Sequence, residues 1–207
     1  AHVGLNQWNG VAIISRVGLT DVDTSFSADQ PTYEEVLEPR AVGASCGGIR
    51  MWSLYVPNGR ELDHPHYAYK LDWLAKLRAA GASWLAADPA AQIALTGDWN
   101  VAPADEDIWD PAVFEGKTHT SEPERAAFNA VVDAGYADLV RPHTPGPGVY
   151  TYWDYRALRF PKREGMRIDF LLGTPALAAR VETAWIDREE RKGKGASDHA
   201  PVVVDLI

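Results

Sequence analysis

The chain has 207 residues, 46% of them hydrophobic, and a formal net charge of −9. That is enough apolar material to bury one sizeable core. No apolar run approaches the ~18 residues of a membrane span, and the acidic balance argues against a general nucleic-acid binder, whose footprint is a basic patch. No stretch rich in Gly, Ser or Pro is long enough to act as a linker, so residues 1–207 read as a single domain. The one cysteine, Cys46, cannot form an intrachain disulfide, and no signal peptide is visible; both point to the cytoplasm.

In chain order, residues 11–14 read as a buried strand after a turn at Asn9-Gly10. Residues 49–56 read as a second strand, which Pro57-Asn58-Gly59 breaks. From residue 67 to about 87, Leu71, Leu74, Leu77, Trp84 and Leu85 recur at three- and four-residue steps, which predicts a helix closed by Asp88-Pro89. Residues 93–95 form a short apolar strand running into Thr96-Gly97-Asp98. Residues 122–134 predict a helix with Ser121 as N-cap and Gly135 as the stop. Residues 150–153, 168–172, 181–186 and 202–206 read as further strands. The class is α/β or α+β, a layered sandwich.

Three motifs fall at strand ends, where layered α/β proteins gather their chemistry. In Gly97-Asp98-Trp99-Asn100, residues i and i+2 of an extended chain would face one site. A carboxylate beside an amide suits an oxygen-liganded cation and a phosphate, although Gly, Asp and Asn also make ordinary turns. Ser197-Asp198-His199-Ala200-Pro201 leads into the last strand, and its histidine could serve as a base, a phosphate ligand or a metal ligand. In Arg167-Ile168-Asp169-Phe170, a carboxylate inside an apolar strand needs a partner. His199 and Arg167 are the candidates. Arg156, Arg159, Lys162, Arg163 and Arg167 form one basic cluster and Arg188, Arg191, Lys192 and Lys194 a second, each either a solvated face or a grip on phosphate.

Taken together and in this order, with Tyr55-Val56-Pro57-Asn58-Gly59 upstream, the motifs resemble the endonuclease/exonuclease/phosphatase superfamily. Within it they resemble the exodeoxyribonuclease III family of abasic-site endonucleases. The likeness runs from about Trp8 to Leu206. It includes Asn9-Gly10-Val11-Ala12-Ile13, Val101-Ala102-Pro103-Ala104-Asp105-Glu106-Asp107, Tyr150-Thr151-Tyr152-Trp153-Asp154-Tyr155-Arg156 and Gly165-Met166-Arg167-Ile168-Asp169. Lipid and inositol phosphatases of the superfamily share the Gly-Asp-x-Asn and Ser-Asp-His motifs but are not expected to share the Tyr-Trp-Asp-Tyr-Arg run.

The resemblance implies two packed mixed sheets flanked by helices. It implies a DNA-repair hydrolase that cleaves 5′ to abasic sites in duplex DNA and degrades or unblocks 3′ ends, as a monomer. The cofactor would be Mg²⁺, with Mn²⁺ as a substitute. Tyr55, Asp98, Asn100, Asp169 and His199 would act in catalysis, and Asp98, Asn100, Asp198 and His199 around the metal. Asn58, Tyr152, Trp153, Arg156, Met166, Arg167 and Ile168 would contact substrate. A small-molecule or lipid phosphodiesterase or phosphatase of the superfamily is the alternative enzyme, and an inert DNA-binding fragment the alternative of another kind. The family's early Asn and its Gln-Glu-Thr-Lys-like motif do not occur here. The expectation is a chain that starts past a strand–helix–strand unit of roughly 30 or more residues, and whose form beginning at Ala1 binds Mg²⁺ weakly and cleaves poorly.

Overall fold

A computed structural model describes residues 1–5 and 7–207. The chain opens with an antiparallel pair, β1 (His2–Leu5) and β2 (Asn9–Ala12). A six-stranded mixed sheet follows, built from β3 (Thr20–Asp23), β4 (Ala41–Cys46), β5 (Ile49–Tyr55), β6 (Ile93–Asp98), β7 (Ala137–Asp138) and β8 (Asp169–Gly173), in the spatial order β3-β4-β5-β6-β8-β7. A second antiparallel pair, β9 (Val181–Ile186) and β10 (Val202–Leu206), ends the chain. The longer helices are α1 (Pro65–Ala87) and, after the single turn α2 (Pro111–Phe114), α3 (Glu122–Asp133); α4 (Arg159–Lys162) and α5 (Pro175–Ala178) are single turns.

Local chemistry accounts for the elements. The two-residue turn Gly47-Gly48 joins β4 to β5 with φ of 57° and 82°, the double positive φ that a tight hairpin needs. β5 and β6 are parallel and therefore require a crossover, which α1 supplies. Ser121 and Glu124 form a reciprocal capping box at the start of α3.

Strand alternation divides the sheet into two faces. Trp52, Leu54, Ile93, Leu95, Phe170 and Leu172 point to the helices and pack with Trp73, Leu74, Leu77, Phe128 and Val131. The opposite face is covered by the two ladders. Val3, Val11 and Ile13 meet Val42 and Ala44, while Val181, Val204 and Leu206 meet Ala94, Leu171 and Leu177. The layered α/β architecture expected from the sequence is present, with two antiparallel ladders as the second layer.

Three local expectations are corrected. Residues 150–153 form no strand: Tyr152 makes single bridges to Met166 and His199. Ile14 lies beyond β2 and is 96% exposed, so residues 11–14 are not continuously buried. Helix α1 starts two residues early, and its deepest side chains include Lys70 and Trp73, which the apolar pattern did not single out.

Candidate active site

The site is assembled by register. Tyr55 lies opposite Asp98 in the β5–β6 pair, and Asp98 lies opposite Asp169 in the β6–β8 pair. Paired positions present side chains on the same face, so one cross-strand row puts a phenol and two carboxylates side by side, on the face away from the helices. Gly97 permits this. Its φ is 134°, and a Cβ there would stand 1.9 Å from the Leu54 carbonyl oxygen. Only glycine lets β6 pass so close to β5 just before Asp98.

Asp98 and Asn100 do meet, but not as neighbours on an extended strand. Asn100 has φ of 51°, a left-handed turn just past β6. The turn aims its backbone N–H and its Nδ2 back at the two carboxylate oxygens of Asp98, each at 2.9 Å. Nδ2 also donates to the Val56 carbonyl, and Oδ1 accepts from Asn58 Nδ2 at 3.0 Å.

His199 enters from the segment before β10. Its Nδ1 lies 2.8 Å from Asp169 Oδ2, which answers which partner the strand-borne carboxylate takes. The Asp198 carbonyl accepts from Trp153 N and the Thr151 carbonyl accepts from Ala200 N, so both flanks of the histidine are held by main chain. Thr151, fully buried, accepts from Ile168 N and Asp169 N through Oγ1 and so fixes the start of β8. The Tyr152 ring centroid is 4.9 Å from that of His199.

The electrostatics follow from this crowding. Burial lowers the proton affinity of His199, but the hydrogen bond and charge of Asp169, with Asp98 and Asp198 behind it, outweigh burial and set the imidazole at about 9. Burial and the facing Asp169 carboxylate push Asp98 up to about 7, against the opposing pull of His199 and the Asn100 N–H. Burial, then Asp98, raises the Tyr55 phenol. The Arg40 guanidinium sits 4.8 Å over the Tyr55 ring.

Among the described residues, no group of three or more His, Cys, Asp or Glu side chains forms a ready cage for a metal. Of the set Asp98, Asn100, Asp198 and His199, two members have donor atoms engaged within the protein. The Asn100 oxygen is already engaged by Asn58, and the His199 Nδ1 by Asp169. The donor chemistry still fits a hard divalent cation of the kind that keeps its waters and binds through one or two carboxylates plus substrate phosphate. Two facing carboxylates, one holding a proton up to about pH 7, make a site where a cation would displace that proton.

The expected substrate contacts divide. Tyr152 is half-buried and Asn58 exposed, and Met166 lines a cavity of about 670 Å³ with Leu62, Phe114, Lys117 and His119. Arg156 is exposed. Three assignments are corrected. Trp153 and Ile168 are each 2% exposed and belong to the core. Arg167 is buried and donates to Asp107 and Asp138, each at 2.6 Å, so its charge is spent on structure. The basic clusters break up likewise, since Arg159 pairs with Glu164 while Arg191 is buried and donates to the Trp153 carbonyl. Sequence reasoning missed His119, whose Nε2 stands 3.0 Å from Asn100 Oδ1 and 3.2 Å from Asn58 Nδ2. Burial, then the charge of Lys70, depresses its pKa to about 4, so it is neutral. The N-cap Ser121, two residues downstream, marked that helix start, but nothing local marked the histidine.

A match to the Endonuclease/Exonuclease/phosphatase family spans residues 3–199. The chain belongs to that family. The 3′ phosphatase NExo from Neisseria, solved with a product DNA hairpin, is 35% identical; the likeness covers 100% of this chain and 79% of that one, with a TM-score of 0.90. An AP endonuclease from Archaeoglobus fulgidus is 32% identical over 91% of this chain and 71% of its own, with a TM-score of 0.82. An exodeoxyribonuclease of Bacillus subtilis is 29% identical over 94% of this chain and 73% of its own. With these relatives, the chain is an enzyme of the hydrolytic nuclease class.

Proposed function

We propose that this protein is a cytoplasmic, monomeric DNA-repair nuclease that hydrolyses the phosphodiester 5′ to abasic sites in duplex DNA and trims or unblocks 3′ ends with Mg²⁺. The observation that carries the reading is the row Tyr55–Asp98–Asp169, with His199 clamped to Asp169 and the Asn58–Asn100 amide pair beside it.

In this reading the Asp98 carboxylate takes a proton from water as it attacks phosphorus in line. The bond to the 3′ oxygen breaks and that oxygen takes a proton from solvent water while Asp98 returns its own to solvent, leaving a 3′-hydroxyl and a 5′ end that carries the sugar remnant. His199, cationic at neutral pH, faces the charge that builds on the phosphoryl oxygens, and Asp169 fixes its orientation. The Asn58 amide, with one N–H beyond its bond to Asn100, orients a phosphoryl oxygen, Asn100 holds Asn58 and Asp98 in place, and the Tyr55 hydroxyl serves the leaving oxygen. A divalent cation held through Asp98 and Asp198 would neutralise phosphate charge. Tyr152 and Met166 form the wall that admits a base-free sugar.

A second reading, in which the site works chiefly at 3′ ends, is supported by the 3′ phosphatase and 3′–5′ exonuclease names of the Neisseria structures. The test uses the full-length protein on three substrates: a duplex with one internal abasic site, a duplex with a 3′-phosphate, and an inositol phosphate. Metal-dependent turnover of the first is expected, turnover of the second alone selects the 3′-end reading, and turnover of the third alone overturns both. Asp98→Ala and His199→Ala are each expected to cut turnover by at least ~10² without unfolding the protein. Near-normal turnover by folded Asp98→Ala protein refutes the assignment.

A further inference from the structure

Lys70 lies in the middle of the protein, not on its surface. Its side chain is wholly buried, as is that of Glu124, with which it pairs. Such a pair is a weak source of stability, because removing two charges from water costs about what their attraction returns. Its three N–H donors therefore matter for where they go. One goes to Glu124, one to the Asn58 carbonyl at 3.2 Å and one to the Asn100 carbonyl at 2.6 Å. The loops it joins carry the two amides that hydrogen-bond each other across the site.

Glu124 extends the clamp to a third loop. The oxygen that receives Lys70 also accepts from Thr118 Oγ1 at 2.7 Å and from His119 N at 2.9 Å, while the other oxygen caps the N-terminus of α3 through Ser121. A capping-box glutamate ordinarily faces solvent at a helix start. Here it is fully buried and ties α3, the 118–119 turn and α1 to one point.

We propose that Lys70 and Glu124 are positioning residues: their buried pair sets the separation and orientation of the Asn58 and Asn100 carboxamides. The proposal rests on the reading of Asp98 and Asn100 as part of the reacting centre. An ångström of displacement at such a centre costs about 10² in rate, so the pair earns its place through geometry.

The test is the double variant Lys70→Met/Glu124→Gln in the full-length protein. Gln preserves the capping box and Met fills the lysine's stem, so no lone charge is left buried. The expected result is a cooperative thermal transition, kcat lower by about 10² on the preferred DNA substrate, and KM within roughly threefold of wild type, the signature of a lost transition-state geometry rather than lost binding. The ¹⁵N side-chain amide resonances of Asn58 and Asn100 are expected to shift together. Retained kcat within about twofold in the folded variant, or unmoved amide resonances, overturns the proposal. If the double variant does not fold, Glu124→Gln alone decides: a kcat lower by about tenfold with both resonances moved supports the proposal, and unchanged values overturn it. A wild-type protein inactive on every DNA substrate would sink the nuclease reading, while the amide resonances would still report on the clamp.

Discussion

At the scale of single residues, the site rests on proton affinities set by neighbours. His199 rises from 6.5 to about 9 in the folded protein. A group whose pKa is raised by folding stabilises the native state fully below its unfolded value, and that contribution is lost as pH rises through the folded value. Asp98, raised from 3.8 to about 7, loses its own contribution over the same rise and is only half titrated at about 7, so its slope runs into that of the histidine. An Asp98→Asn background removes that slope and leaves the loss at the histidine, as pH rises through about 9, to be read alone. Thermal unfolding in EDTA is expected to show Tm falling across that rise in Asp98→Asn and staying flat in Asp98→Asn/His199→Gln; equal slopes would show that the Asp169–His199 pair adds nothing. These residues were legible beforehand because each is a polar group ending or interrupting an apolar run, where burial demands a partner. Lys70 and Glu124 were not, since a charged residue in a helical pattern reads as the solvent side until the neighbouring helix is in place.

At the scale of elements, the strands that carry the site announced themselves and several others did not. Ile93-Ala94-Leu95 and Phe170-Leu171-Leu172 are apolar and bounded by turn residues. Strand β4 reads Ala-Val-Gly-Ala-Ser-Cys, with little β propensity, and owes its place to pairing on both edges by β3 and β5. The aromatic run at 150–153 misled in the other direction. Its main chain is satisfied by Met166 and Asp198 rather than by a ladder. Arg167 belongs to this scale, because it ties the lead into β8 to Asp138 of β7 and to Asp107. Arg167→Met should leave Asp138 without its cation and Asp107 with Arg141 alone, and destabilise the fold by about 3 kcal/mol. Chemical denaturation would measure it. A loss under ~1 kcal/mol, the scale of an exposed pair, would return Arg167 to the surface and reopen its role in substrate contact.

At the scale of the whole molecule, a net charge of −9 sits on a protein proposed to hold DNA. Attraction is then local, and with Arg167 and Arg191 buried the first cluster keeps Arg156, Lys162 and Arg163 as its exposed cations. On the proposed reading, Arg156→Ala weakens binding alike for abasic and intact duplexes and makes the dependence of log Kd on log salt shallower by about one contact. A changed preference between the duplexes at unchanged salt slope would instead make Arg156 a reader of the lesion. The layered architecture was legible from the alternation of apolar runs. Which strands lie side by side was not, because pairing order lies in contacts between distant segments.

The cross-strand row has a consequence for errors of alignment. Tyr55, Asp98 and Asp169 share a face only because three strands agree to the residue. Side chains alternate with a period of two, so a slip or a one-residue deletion inside β6 would turn Asp98 toward Trp52, Leu54 and Phe170. A misaligned copy would bury a bare carboxylate among aromatic rings and would not hold together as a plausible but inactive sheet. The sheet thereby proofreads itself, and chains that survive folding are those in which the carboxylates already face each other.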